Sequence, residues 1–104
     1  MIFKFLIYDI HEIQKHNDFG ELYTEPINNE WQKFHMVLNV NHIEITSFRS
    51  YILFDSDHNP TPCTKVFLSD NSFVFAANKL ETFALNYLND YLPLFKATSS
   101  NKDA

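Results

Sequence analysis

Residues 64–92, TKVFLSDNSFVFAANKLETFALNYLNDYL, decide the fold, because a β-hairpin there runs directly into an amphipathic helix. Asp70 and Asn71 separate two apolar runs, and both residue types tolerate the positive φ of a two-residue hairpin turn. Such a turn sets Ser69 opposite Ser72, Leu68 opposite Phe73, Phe67 opposite Val74 and Val66 opposite Phe75. It gathers Val66, Leu68, Phe73 and Phe75 on one core-facing side. Asn78 with Glu81 three residues on has the pattern of a helix N-cap with a capping box. Leu80, Phe83, Ala84, Tyr87, Leu88 and Tyr91 then recur at helical spacing until Pro93 ends the run. This reading buries Leu88 against the hairpin. It leaves Leu85, Leu92 and Leu94 on the helix, and Phe67 and Val74 on the second side of the ribbon, to be covered by the chain itself or by a partner.

Upstream, residues 2–8 are almost continuously apolar and read as a central strand buried on both faces. Asp9 and Glu12 repeat the capping pattern and leave room for a short N-terminal helix over residues 10–16, and residues 21–29 read as an extended connection. From residue 32 to 40, Phe34, Met36, Leu38 and Val40 alternate with Lys33, His35, Val37 and Asn39, the period of a half-exposed strand. A turn at Asn41 and His42 folds this strand into a second hairpin, with Val40 opposite Ile43 and Leu38 opposite Ile45. The apolar phase then shifts to Phe48, Ile52 and Phe54, which calls for a bulge near Thr46 and Ser47. Residues 55–63 read as a polar loop stiffened by Pro60 and Pro62. The fold class is α+β: a mainly antiparallel sheet of about five strands with the C-terminal amphipathic helix packed on one face. Residues 1–96 form a single domain, and residues 97–104, small and polar, form a disordered C-terminal tail.

Composition narrows the function. Of 104 residues 11 are Phe, five Tyr and one Trp, more large rings than so small a core needs, so some reach the surface, where they mark interaction sites. The single glycine excludes Gly-rich phosphate-cradling loops. One cysteine, Cys63, excludes an internal disulfide and a Cys-rich zinc site and fits a reducing, cytoplasmic setting; no run reaches membrane-spanning length. Net charge is -5 and Arg49 is the only arginine, which counts against nucleic acid as a partner and suits a basic protein.

Chemistry finds no committed motif. Asp55, Asp57 and Asn59 open like a calcium loop, but Pro60 stands where the glycine belongs and Val66 where the closing glutamate does. His58 and Cys63 share a loop, yet nothing marks a lowered thiol pKa, and Cys63 reads as a small packing residue. His35, His42 and Glu44 offer zinc-type donors, but the hairpin register points His35 away from the Leu38 and Val40 face while His42 sits in the turn, and the spacing of His11 and His16 is wrong for one helical face. The expectation is therefore no catalytic residue, no metal and no cofactor. The reading is of a small cytoplasmic protein-binding module that occludes a partner, as toxin-neutralising immunity proteins, antitoxins and inhibitors do. Glu44, Tyr51, Asp55, Asp57, His58 and Tyr91 are its candidate partner-binding residues, acids meeting a basic toxin or nuclease domain and rings acting as anchors. The alternative is a homo-oligomeric structural or regulatory module, a homodimer for instance, joined through the Phe67 and Val74 face or a free strand edge.

Overall fold

A computed structural model describes residues 1–9, 14–16, 22–24, 31–54 and 57–94. Its strands are β1 (Ile2–Tyr8), β2 (Gln14–His16), β3 (Leu22–Thr24), β4 (Lys33–Asn39), β5 (Ile45–Phe54), β6 (Pro60–Leu68) and β7 (Phe73–Ala76). Helix α1 (Leu80–Asn86) follows, continued by a π-helical stretch, Tyr87–Tyr91, and by residues 92–94. Five strands form one antiparallel sheet in the order β4-β1-β7-β6-β5, and the C-terminal helix packs on it, so the class is α+β. β2 and β3 pair separately, Lys15 opposite Tyr23. Residues 14–16 are therefore extended where a short helix was expected. A one-sided capping pattern without an apolar stripe does not offset the cost of nucleating so short a helix. Residues 10–13, like the tail at 97–104, lie outside the described residues.

The decisive hairpin forms one residue out of its expected register. Phe67 pairs with Phe73, Val66 with Val74, Lys65 with Phe75 and Thr64 with Ala76. Leu68 N–H donates to Ser72 O at 2.9 Å and Asn71 N–H to Leu68 O at 3.1 Å, closing a three-residue loop of Ser69, Asp70 and Asn71. Only Asn71 takes the left-handed conformation, at φ 70°, as the last residue of such loops does. The Asp70 carboxylate accepts from the N–H of Ser72 and from its hydroxyl, which braces the loop and holds that carboxyl below its ordinary pKa. A slip of one residue turns β7 over relative to β6. Val74 and Ala76 now join Val66 and Leu68 in the core, while Phe73 is 46% exposed and Phe75 packs on the opposite face.

The second hairpin does not form. β4 and β5 stand at opposite edges of the sheet, and the segment between them crosses over instead. A turn is present, with His42 N–H and Ile43 N–H both donating to Asn39 O, but it leads the chain past the tip of the first hairpin. There Glu44 N–H meets Ser69 Oγ at 2.9 Å and Ser69 N–H meets Glu44 O at 2.9 Å. The bulge in β5 is where the phase shift put it: Ile45 pairs with Leu68 and Ser47 with Phe67, leaving Thr46 extra, its hydroxyl donating to Phe67 O. The β5–β6 loop is shorter than expected, since Pro60 pairs with Phe54 and Pro62 with Ile52. β7 reaches only residues 64–67 of β6, so residues 60–63 form an edge where a missing N–H is tolerated.

β1 is central, between β4 and β7, but alternates: Phe3, Phe5 and Ile7 are buried while Ile2, Lys4 and Leu6 are exposed. The core joins those three residues to Leu38, Val40, Ile45, Val66, Leu68, Ala76, Phe83 and Tyr91, so strands from both edges wrap one helix. Phe83 lies 5.0 Å from Phe48 and 5.7 Å from Phe5, centroid to centroid, with the rings edge to face, the favoured arrangement of their quadrupoles. The helix differs from expectation at both ends. Lys79, not Asn78, is its N-cap, with no side-chain cap, and the Asn78 carbonyl accepts the hydroxyl of fully buried Thr64 at 2.9 Å. Beyond Asn86 the Leu92 N–H bonds Tyr87 O, one residue farther back than in an α-helix. Phe83, Tyr87 and Tyr91 face inward, the wider turn leaves Leu88 outward at 56% exposure, and Leu92 and Leu94 pack against the core.

Candidate functional site

The helix covers one face of the sheet. Alternation assigns to the other face Lys4, Leu6 and Tyr8 of β1, Lys33 and His35 of β4, Arg49, Tyr51 and Leu53 of β5, Cys63, Lys65 and Phe67 of β6, and Phe73 and Phe75 of β7. One end of this outer face has a small core of its own: Tyr8, Cys63 and Phe75 are buried, with Trp31, Leu53 and Ala77 packed around them and the Trp31 ring 6.3 Å from Tyr8. Burial pushes the Cys63 thiol up to about 11, against a weaker opposing hydrogen bond from the Leu53 backbone, and burial likewise raises Tyr8. A thiol so held keeps its proton at neutral pH, the less nucleophilic form.

The rest of the outer face is exposed or half-buried, and its centre is the half-buried Lys65. The ammonium lies 4.2 Å from the Phe73 ring centroid, 5.2 Å from Phe67, 5.5 Å from Tyr51 and 5.9 Å from Phe75. Arg49, directly opposite Lys65 in the ladder, sits 5.6 Å over the Phe67 ring. Lys33 stands 5.8 Å over Tyr8. Each cation is held by ring quadrupoles, an attraction of about 0.5 to 1 kcal/mol at exposed sites. The five strands of this sheet contain no Asp or Glu, and all four of their Lys and Arg side chains fall on this one face. In a chain with 13 acids and a net charge of -5, that is a marked segregation of charge.

The candidate residues read from sequence do not converge. Tyr51 lies on the outer face, its ring 4.9 Å from Phe75. Asp57 and His58 are exposed in the β5–β6 turn, where His58 has φ 62°, and Asp55 lies outside the described residues. Glu44 is at the far end of β5, roughly 30 Å away along a ten-residue strand. Tyr91 is 1% exposed: it is a core residue whose hydroxyl accepts Ile45 N–H at 2.9 Å, and its burial raises its pKa. Sequence reasoning passed over Lys65, Arg49 and Phe73, because the two-residue turn had put Phe73 inside. No group of three or more His, Cys, Asp or Glu side chains able to hold a metal ion occurs among the described residues. No helix among them is long and apolar enough to cross a membrane. Compared with known proteins, no family model matches the chain, and no curated protein or solved structure matches it significantly.

Proposed function

We propose that this protein is a non-catalytic protein-binding module that acts by occluding its partner, the manner of action of immunity proteins and small inhibitors. The observation that supports this most is the outer sheet face. It is a hydrogen-bonded platform with exposed Phe73 and Tyr51 beside Lys65 and Arg49; aromatic residues and Arg are enriched at interfaces, and Tyr and Arg are among the types that carry most binding energy there. A buried, protonated Cys63 supports the non-catalytic part. The docking surface is thus the sheet face rather than the acidic turn at Asp57.

The test is recovery of the tagged protein from its native host, in parallel with Phe73→Ser. A stoichiometric protein retained by wild type and lost by the variant, at matching melting temperatures, is the expected result. Turnover of a small molecule by the purified chain, or a partner held equally by both forms, would refute the reading as stated. A second reading, self-association, draws on β5, which spans ten residues and stands at the sheet edge with no further strand beside it among the described ones. Light scattering separates the two: a dimer abolished by Ser50→Pro, with no other protein bound, favours that alternative.

A further inference from the structure

We infer that the surface this face recognises is acidic: a polypeptide segment rich in Asp or Glu that docks across Lys65 and Arg49. The inference rests on the protein-binding reading above and deepens it by giving the partner's chemistry.

Its basis is a cluster of cations on strands that carry no acid of their own. Arg49 and Lys65 are direct cross-strand neighbours, and like charges placed opposite each other destabilise a sheet. Lys4 and Lys33 add two more cations on the same face, and the strands supply no carboxylate to offset any of them. The acids of the described chain sit elsewhere: Asp9 just beyond β1, Glu44 in the crossover, Asp57 and Asp70 in turns, Glu81 and Asp90 on the helical segment. A carboxylate-bearing surface would relieve this repulsion, and the cations of the face would steer its approach.

Nucleic acid also carries negative charge, and bases stack on exposed rings. Here a cation already lies over Phe73 and over Phe67, so a base stacking on that side of either ring would have to displace Lys65 or Arg49. A carboxylate needs only the N–H groups that point away from the rings and can bind with the cluster intact. The observations therefore favour the acidic polypeptide.

Three labelled probes test this by fluorescence anisotropy on the whole chain: a short synthetic peptide of Glu, Tyr and Ser, a poly-lysine peptide and a poly-dT oligonucleotide. Wild type should bind the acidic peptide in a salt-sensitive manner, and Arg49→Gln and Lys65→Gln should each weaken it by about tenfold, while Lys79→Gln on the helix leaves it unchanged. Melting temperatures show whether each variant is folded. Should Lys65→Gln unfold, Arg49→Gln, whose cation lies over a single ring, gives the same reading. Tighter binding of poly-dT through the same two residues, preference for poly-lysine, or acidic-peptide binding indifferent to Arg49 and Lys65 would each overturn the inference. A host protein retained by wild type and equally by Arg49→Gln and Lys65→Gln would also overturn it while leaving the protein-binding reading standing.

Discussion

Asn71 carries the first hairpin on a single left-handed residue, φ 70°. Most L-residues give up about 1 to 2 kcal/mol there, which Gly avoids and Asn softens through its short polar side chain. Asn71→Gly should therefore leave urea stability unchanged or slightly raised, and Asn71→Val should lower it by about 1 to 2 kcal/mol. Equal midpoints for Gly and Val would mean the loop relaxes into another turn. Cys63 gives a pH prediction. Its thiol is held at about 11 in the folded chain against 9.0 for a free thiol, so the folded state keeps a proton that the unfolded state loses. The stability this contributes is complete below pH 9.0 and is lost as pH rises through about 11; the loss is on the order of 2 kcal/mol. Tyr8 and Tyr91, also raised by burial, act in the same direction above 10.0. Urea titrations at pH 8 and pH 10.5 should show the fall, and Cys63→Ala should reduce it; an identical fall in the variant would assign it elsewhere. At this scale Cys63 was legible, since a lone thiol at the start of a strand is most simply a packing group. Lys65 was not, because its ring neighbours come from four strand positions that only the register brings together.

Among elements, the helix shows where periodicity is a good guide and where it stops. A 3.6-residue period places Phe83, Tyr87 and Tyr91 correctly but also Leu88, and the π turn, which no propensity announces, rotates Leu88 into solvent. Leu88→Ala should accordingly cost less than about 1 kcal/mol, as surface substitutions do, whereas Phe83→Ala should cost about 3 to 5 kcal/mol. Tyr91→Phe should cost about 1 to 3 kcal/mol, because it strands the buried Ile45 N–H without its acceptor. Thermal or urea unfolding of the three variants checks the order; a Leu88→Ala loss equal to that of Phe83→Ala would restore the uninterrupted helix. The hairpin follows the same logic. Its existence was readable from two apolar runs around Asp70 and Asn71, but two- and three-residue loops draw on the same residues, and that choice decides which face Phe73 joins. The β5 bulge was readable because an apolar phase shift within one strand has few other causes. The acid-free, one-sided distribution of cations was present in the strand sequences too, and needed only the correct parity to become visible.

For the molecule as a whole, strand order was the least legible property, since nothing local tells β4 to pair with β1 rather than with β5, its neighbour in sequence. The sheet so formed is unevenly stitched. β1 and β4 share seven register pairs and β5 and β6 nine, but β1 meets β7 at one, Ile7 opposite Ala76, reinforced by Ala77 N–H to Leu6 O at 2.9 Å. Native-state hydrogen exchange should find the β1–β4 ladder opening at a free energy lower by about 1 kcal/mol or more than the β5–β6 ladder. A single common opening energy would show that ring packing by Phe3 and Phe5 against Phe83 closes the seam fully. The same seam has a bearing on synthesis. Ala76 stands 69 positions after Ile7 (76 minus 7), so on a ribosome β1 emerges long before the strand that completes its pairing. At translation rates of about 5 to 20 residues per second the wait is roughly 3 to 14 seconds. Through it, a strand bearing Phe3, Phe5 and Ile7 has only β4 for company, and its apolar side stays open to chaperones and to other nascent chains.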